Sequence, residues 1–145
     1  MKLLLAGLAV ALLVLVGCSA EGGSTPSGGS PSPSPSLSDA VQLAAQYGLH
    51  VRARTGGFID AVPDHPMANP GSGLIDTACA DIGFDLGPYR GEQVTFTSYA
   101  MDERLHGSTA SFWTIERDGR IVGAYVTIKN ADPSTLSLKE LEAQL

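Results

Sequence analysis

Two spacings of apolar residues organise the chain beyond residue 37. Behind Ser38-Asp39, Leu37, Val41, Ala44 and Ala45 recur at helical spacing, with Leu43 and Tyr47 on an adjacent stripe and Gly48 at the C′ position. LHVRAR, residues 49–54, then alternates Leu49, Val51 and Ala53 against His50, Arg52 and Arg54, the pattern of a half-buried strand ended by Gly56-Gly57. Residues 58–73 read as a loop punctuated by Pro63, Pro66, Pro70, Gly71 and Gly73. Ser72 caps a second helix whose apolar face is Leu74, Ile75, Ala78, Cys79 and Ile82 and which Gly83 closes. FDLGPYRG, residues 84–91, connects to three strand patterns at 92–101, 110–117 and 120–129. SLKELEAQL at the end reads as a short helix, with Ser137 and Glu140 spaced as a capping box and Leu138, Leu141 and Leu145 on one face.

Asp118-Gly119 between two strand patterns predicts a two-residue hairpin turn, because both positions need positive φ. Such a turn sets Arg117 opposite Arg120. Carried along the strands, it pairs Ile115 with Val122, Trp113 with Ala124 and Ser111 with Val126 on a face that meets helices. The other face pairs Glu116 with Ile121, Thr114 with Gly123 and Phe112 with Tyr125, and this mixed face is expected to turn to solvent. The element order α-β-α-β-β-β-α predicts an α+β domain, with helices packed on one face of an antiparallel sheet of about four strands.

Residues 1–36 follow neither spacing. Lys2 precedes an apolar run from Leu3 to Val16, broken by Gly7. As a helix it would span about 21 Å against the ~30 Å hydrocarbon core, a length that fits a secretory signal. Leu15-Val16-Gly17-Cys18 resembles the lipobox of bacterial lipoproteins. That resemblance implies cleavage between Gly17 and Cys18 and a diacylglycerol on the Cys18 thiol. The alternative is an ordinary secretory signal with an incidental cysteine. Two acyl chains at ~0.8 kcal/mol per buried CH₂ anchor a protein stably without a membrane-spanning helix. Residues 19–37 are almost entirely Ser, Gly, Pro and Thr, too little apolar surface to offset the entropy of ordering. They are expected to form a disordered tether that reaches about 25 Å as a coil and roughly 60 Å extended; a glycosylated stalk is compatible with the same residues. The expected organisation is therefore a signal peptide at 1–17, a lipidated cysteine and tether at 18–37, and one small domain at 38–145.

Charge narrows the partners. Without the leader, eight Lys and Arg face fifteen Asp and Glu, a net charge of −7, and no basic cluster interrupts the acidic balance. Nucleic acid is not an expected partner. The membrane is, through the lipid at Cys18, on the extracytoplasmic side of a bacterial cell membrane. With Cys18 lipidated, Cys79 is left without a disulfide partner. Its apolar setting, Thr77-Ala78-Cys79-Ala80, predicts a small buried hydrophobe rather than a catalytic thiol.

A second resemblance covers about residues 40–130. Gly83 to Leu86, Tyr89 to Gly91 and Asp118 to Gly123 resemble turn and strand patterns of a bacterial lipoprotein domain, domain of unknown function 4830. Ala124 stands where that pattern usually has a second glycine, and the C-terminal end here is longer. The resemblance implies a domain boundary and an envelope location, and brings no activity.

Chemistry is sparse. His50, His65 and His106 lie far apart and in no HxxxH or HExxH spacing. Asp76, Asp81 and Asp85 have no EF-hand pattern, and no G-x-S-x-G elbow occurs. Gly71-Ser72-Gly73 reads as a helix cap. No catalytic residue, metal ligand or cofactor is assigned. The expected function is a non-catalytic binding module of the envelope, contacting a protein or wall component through Phe112, Ile121 and Tyr125, with Tyr99 alongside; the competing reading of that face is a second core. A small-ligand or metal-dependent enzyme built on Asp64, His65 and His106 is the alternative activity. A passive structural lipoprotein is a third reading.

Overall fold

A computed structural model describes residues 36–67, 75–132 and 134–145. Gly17 and Cys18 of the expected lipobox, the expected tether as far as residue 35, and Gly71, Ser72, Gly73 and Leu74 lie outside the described residues. The elements run α1 (Leu37–Ala45), β1 (Val51–Ala61), α2 (Ile75–Asp81), a 3-10 turn (Gly87–Tyr89), β2 (Gln93–Leu105), β3 (Ser108–Arg117), β4 (Arg120–Ile128), β5 (Thr135–Leu136) and α3 (Leu138–Glu142). The strands form one antiparallel sheet in sequence order, β1-β2-β3-β4-β5. The α+β class and the antiparallel sheet hold. The expected order of elements is matched in part, with the 3-10 turn and the two-residue β5 added, and the helices do not share one face: α1 and α3 pack on one side of the sheet and α2 on the other.

Several local signals act as expected. Asp118 and Gly119 take φ of 48° and 75°, closing the β3–β4 hairpin. Gly48 and Gly83 end α1 and α2 at φ of 67° and 91°. Ser137 and Glu140 form the capping box of α3: the serine hydroxyl accepts from Glu140 N at 3.0 Å, and the carboxylate accepts from Ser137 N at 2.7 Å.

Three expectations are corrected. β1 does not stop at Gly56-Gly57 but runs through them to Ala61. The glycines mark a close approach instead, since a Cβ on Gly57 would lie 2.6 Å from the Phe96 carbonyl oxygen. Second, α1 is rotated: Ala40 and Ala44 are fully buried, while Leu37 and Val41 are exposed. Small residues four apart let the helix backbone approach the sheet. Third, the hairpin register holds only at Arg117–Arg120 and Glu116–Ile121. Val122 is then an extra residue, so Ile115 faces Gly123, Thr114 faces Ala124, Trp113 faces Tyr125 and Phe112 faces Val126. A bulge of one residue exchanges the faces of everything beyond it.

Tyr99, Phe112, Ala124, Val126 and Ile128 therefore share one buried cluster with Ala40 and Ala44 of α1 and Leu138 and Leu141 of α3. Ile115, Val122, Tyr125 and Phe96 form a second cluster with Ala78 and Cys79 of α2. Gly123 sits beneath α2: a Cβ there would lie 3.0 Å from Leu86 Cδ2 and 3.1 Å from both Cys79 Sγ and Ile115 Cδ1. Cys79 Sγ donates to the Ala124 carbonyl at 3.4 Å, tying α2 to β4. Cys79 is buried as expected, and that burial pushes its thiol pKa up to about 12.

Candidate binding cleft

The face that carries Phe96, Trp113 and Tyr125 is open toward β1. Directly opposed residues of neighbouring strands share a face. Phe58 opposes Phe96, and Trp113 opposes Tyr125. The rings of Phe58 and Phe96 stack with centroids 4.8 Å apart. Phe58 meets Trp113 edge-on at 6.0 Å, and Trp113 stacks parallel to Tyr125 at 6.1 Å. These spacings fall in the favourable range for aromatic pairs. A strip of aromatic rings thus crosses four strands, held at its centre by the Trp113 indole N–H donating to Thr127 Oγ1 at 3.1 Å.

A cleft of about 550 Å³ opens over one end of this strip. Phe58, Phe96 and Tyr125 form its floor, Met67 and Ile75 its far wall, and Asp60 and His65 its polar rim. Its volume lies within the range of small-molecule and side-chain pockets, and its lining is apolar with a few polar groups, as such sites are. Burial raises the Tyr125 phenol above its ordinary pKa.

Val62 is tied by backbone bonds to Glu92 and Gly91, and the segment beyond it, to Met67, is held by Arg90 and Asp76. Arg90 donates to the carbonyls of Pro63 at 3.0 Å and His65 at 3.2 Å, and pairs with Asp76 of α2. The second oxygen of Asp76 accepts from Met67 N at 2.7 Å. Arg90 and Asp76 are both about four-fifths buried, so the clamp is shielded from water and ties the wall to the helix.

The expected contact patch is corrected here. Phe112 is fully buried against Tyr99, with ring centroids 5.9 Å apart, and it lies on the opposite face from Tyr125. Ile121 is half-buried and opposes Glu116. The three residues do not form one surface, because the bulge at Val122 separates them. Tyr125 does reach a cleft, on the other side of the sheet. Phe58, Phe96 and Trp113 were missed for two reasons. Phe58 follows Gly56-Gly57, which read as a strand end, and the simple register turned Trp113 inward. The one available signal was the adjacent pair Phe58-Ile59, residues of high strand preference directly beyond the glycines.

The residues of the alternative enzyme do not converge. His65 lines the aromatic cleft, whereas His106 lines a separate cleft of about 460 Å³ with Asp132 and Glu140. Asp64 is exposed beside Gly91. Among the described residues no group of three or more His, Cys, Asp and Glu side chains comes together. Compared with family models, curated proteins and solved structures, the chain matches none.

Proposed function

We propose that this chain is a membrane-anchored envelope lipoprotein whose α+β domain is a non-catalytic binding module, with the cleft over Phe58, Phe96 and Tyr125 as its binding site. One observation carries the binding role: the aromatic floor ends in a large apolar side chain left in water. Phe58 lines the cleft and is 49% exposed at its mouth. Exposed apolar groups adjoining a formed cleft are the usual mark of an interaction site. The anchor rests on the order of apolar run, Leu15-Val16-Gly17-Cys18 and tether in the sequence, with which the resemblance to domain of unknown function 4830 agrees.

Two experiments test the two halves. Cys18→Ala should move the protein out of the membrane fraction and abolish incorporation of labelled fatty acid; continued lipid labelling would overturn the anchor. Proximity cross-linking on intact cells, using the full lipidated chain, should capture an envelope component. Phe58→Asp should lose that component at equal expression. Capture of nothing above background, or equal capture by the variant, would overturn the binding role of the cleft.

A further inference from the structure

β1 ends the strand order, so its outer edge has no partner strand among the described residues. The direction of its backbone groups follows from the ladder. Val62 N donates to the Glu92 carbonyl at 3.0 Å. Bonding and non-bonding positions alternate along an antiparallel pair. With Asp60 opposite Val94 and Phe58 opposite Phe96, positions 58 and 60 bond toward β2. Gly57, Ile59 and Ala61 turn their N–H and C=O groups outward. The Ala61 N–H accordingly donates to Asp60 Oδ1, at 2.8 Å, and not to β2.

Edges of this kind are normally blunted by bulges and charges. Here the blunting stops short of the centre. Register shifts fall near Arg52 and Thr55, and Asp60 covers Ala61, but Gly56 to Ala61 pair with β2 without interruption. Gly57 and Ile59 are left between them with open donors and acceptors. Arg54 adds a charge at the same place. Its guanidinium reaches within 3.4 Å of where a Cβ on Gly57 would stand, so it lies over the glycine. It joins no ion pair among the described residues.

Resting on the binding-module reading, we infer that the outer edge of β1 takes an extended peptide as a sixth strand, with an acidic side chain toward Arg54 and apolar side chains on the Phe58 face. Main-chain bonds to Gly57 and Ile59 supply the attachment, and alternate side chains supply the selection. A side chain opposite Gly57 meets the Arg54 guanidinium, where a carboxylate is favoured. On the other face, a side chain opposite Phe58 lies at the mouth of the cleft. A second copy of this chain fits less well. Pairing β1 with itself brings Gly57 or Ile59 to Arg54, while Asp60 stays on the opposite face.

The test uses an acetylated, amidated heptapeptide alternating valine and glutamate, titrated by fluorescence anisotropy against the full-length Cys18→Ala chain. Saturable binding is expected, with the valine–lysine counterpart weaker. Arg54→Glu should weaken the valine–glutamate peptide by about fivefold, the scale of one exposed ion pair, and favour the lysine peptide. Arg54→Gln serves if circular dichroism shows Arg54→Glu misfolded. N-methylation of one alternate set of peptide amides should abolish binding and methylation of the other set should not, because one edge of an added strand meets β1. Absence of saturable binding, equal binding of both peptides, or equal tolerance of both methylations would overturn the inference. So would a concentration-dependent dimer in sedimentation that Ile59→Lys abolishes and the peptide does not disturb. A cellular partner lost in Phe58→Asp but not displaced by the peptide would leave the binding module standing and remove strand addition.

Discussion

Gly123→Ala tests the packing that sets the two faces of the sheet. The added methyl would meet Leu86 Cδ2 at 3.0 Å, and Cys79 Sγ and Ile115 Cδ1 at 3.1 Å. These three side chains are 3%, 0% and 0% exposed, so none can swing into water. Overpacking a closed core costs about 1–3 kcal/mol. Replacing glycine by alanine within a strand returns about 0.5–1 kcal/mol of backbone entropy. The net expectation is a loss of about 0.5–2 kcal/mol, or roughly 2–9 °C in Tm for a domain of this size. Cys79→Ala alone removes a buried sulfur and should cost about 1 kcal/mol. It also opens space in front of Gly123, so the double variant should be more stable than the sum of the two losses by about 0.5–1 kcal/mol. Urea unfolding of the Cys18→Ala chain, followed by Trp113 fluorescence and by circular dichroism, measures all four corners. An unchanged midpoint for Gly123→Ala, or strict additivity in the double variant, would refute the placement of Gly123 under α2 and with it the bulge at Val122.

Arg90→Ala should release the Val62–Met67 segment by removing its bonds to Pro63, His65 and Asp76. A cost of about 1–3 kcal/mol is expected, below the full value for a buried pair because a fifth of each side chain is exposed; hydrogen exchange should rise first at residues 62–67, and a uniform rise would refute the clamp. Ser137→Ala removes the cap of α3 and should cost about 1 kcal/mol in urea unfolding, with Ser137→Thr largely retaining it. Cys79 holds its proton to about pH 12 when folded, against 9.0 for the ordinary thiol. Its contribution is therefore complete below pH 9 and lost as pH rises toward 12, at up to about 1.4 kcal/mol per pH unit. Cys79→Ala should flatten that alkaline loss, and the native thiol should resist a disulfide reagent at pH 8 until urea is added; rapid native labelling would contradict its burial.

Much of the fold is written locally. Asp118-Gly119, Gly48, Gly83 and the Ser137–Glu140 box each specify a turn or an end through their own φ preference or hydrogen bonds. They mark where elements begin and stop, which is why the α+β class and part of the element order are legible before the structure. The candidate site is less so. Of the residues first expected at the surface, Phe112 is in the core, Ile121 is half-buried, and only Tyr125 and the rim residue His65 reach the aromatic cleft. Phe58 gains its role from Phe96, far along the chain on β2, and Trp113 gains its role from Tyr125 across the bulged hairpin.

The sequence by itself determined the short-range features. These are the apolar run ahead of Cys18, the Ser, Gly and Pro bias of residues 19–36, the helix ends, the hairpin turn and the burial of Cys79, all set by hydropathy and conformational preference over a few residues. Tertiary structure alone decided which face each strand residue occupies. Alternation names two faces without saying which is inside, and a single extra residue exchanges them. Val122 is that residue. Its bulge places Gly123, rather than a larger side chain, beneath Cys79 and Leu86, and sends Phe112 into one core and Tyr125 toward the other side. The run of β1 beyond Gly57 was decided in the same way, by the fit of a residue without a Cβ against the Phe96 carbonyl of a neighbouring strand.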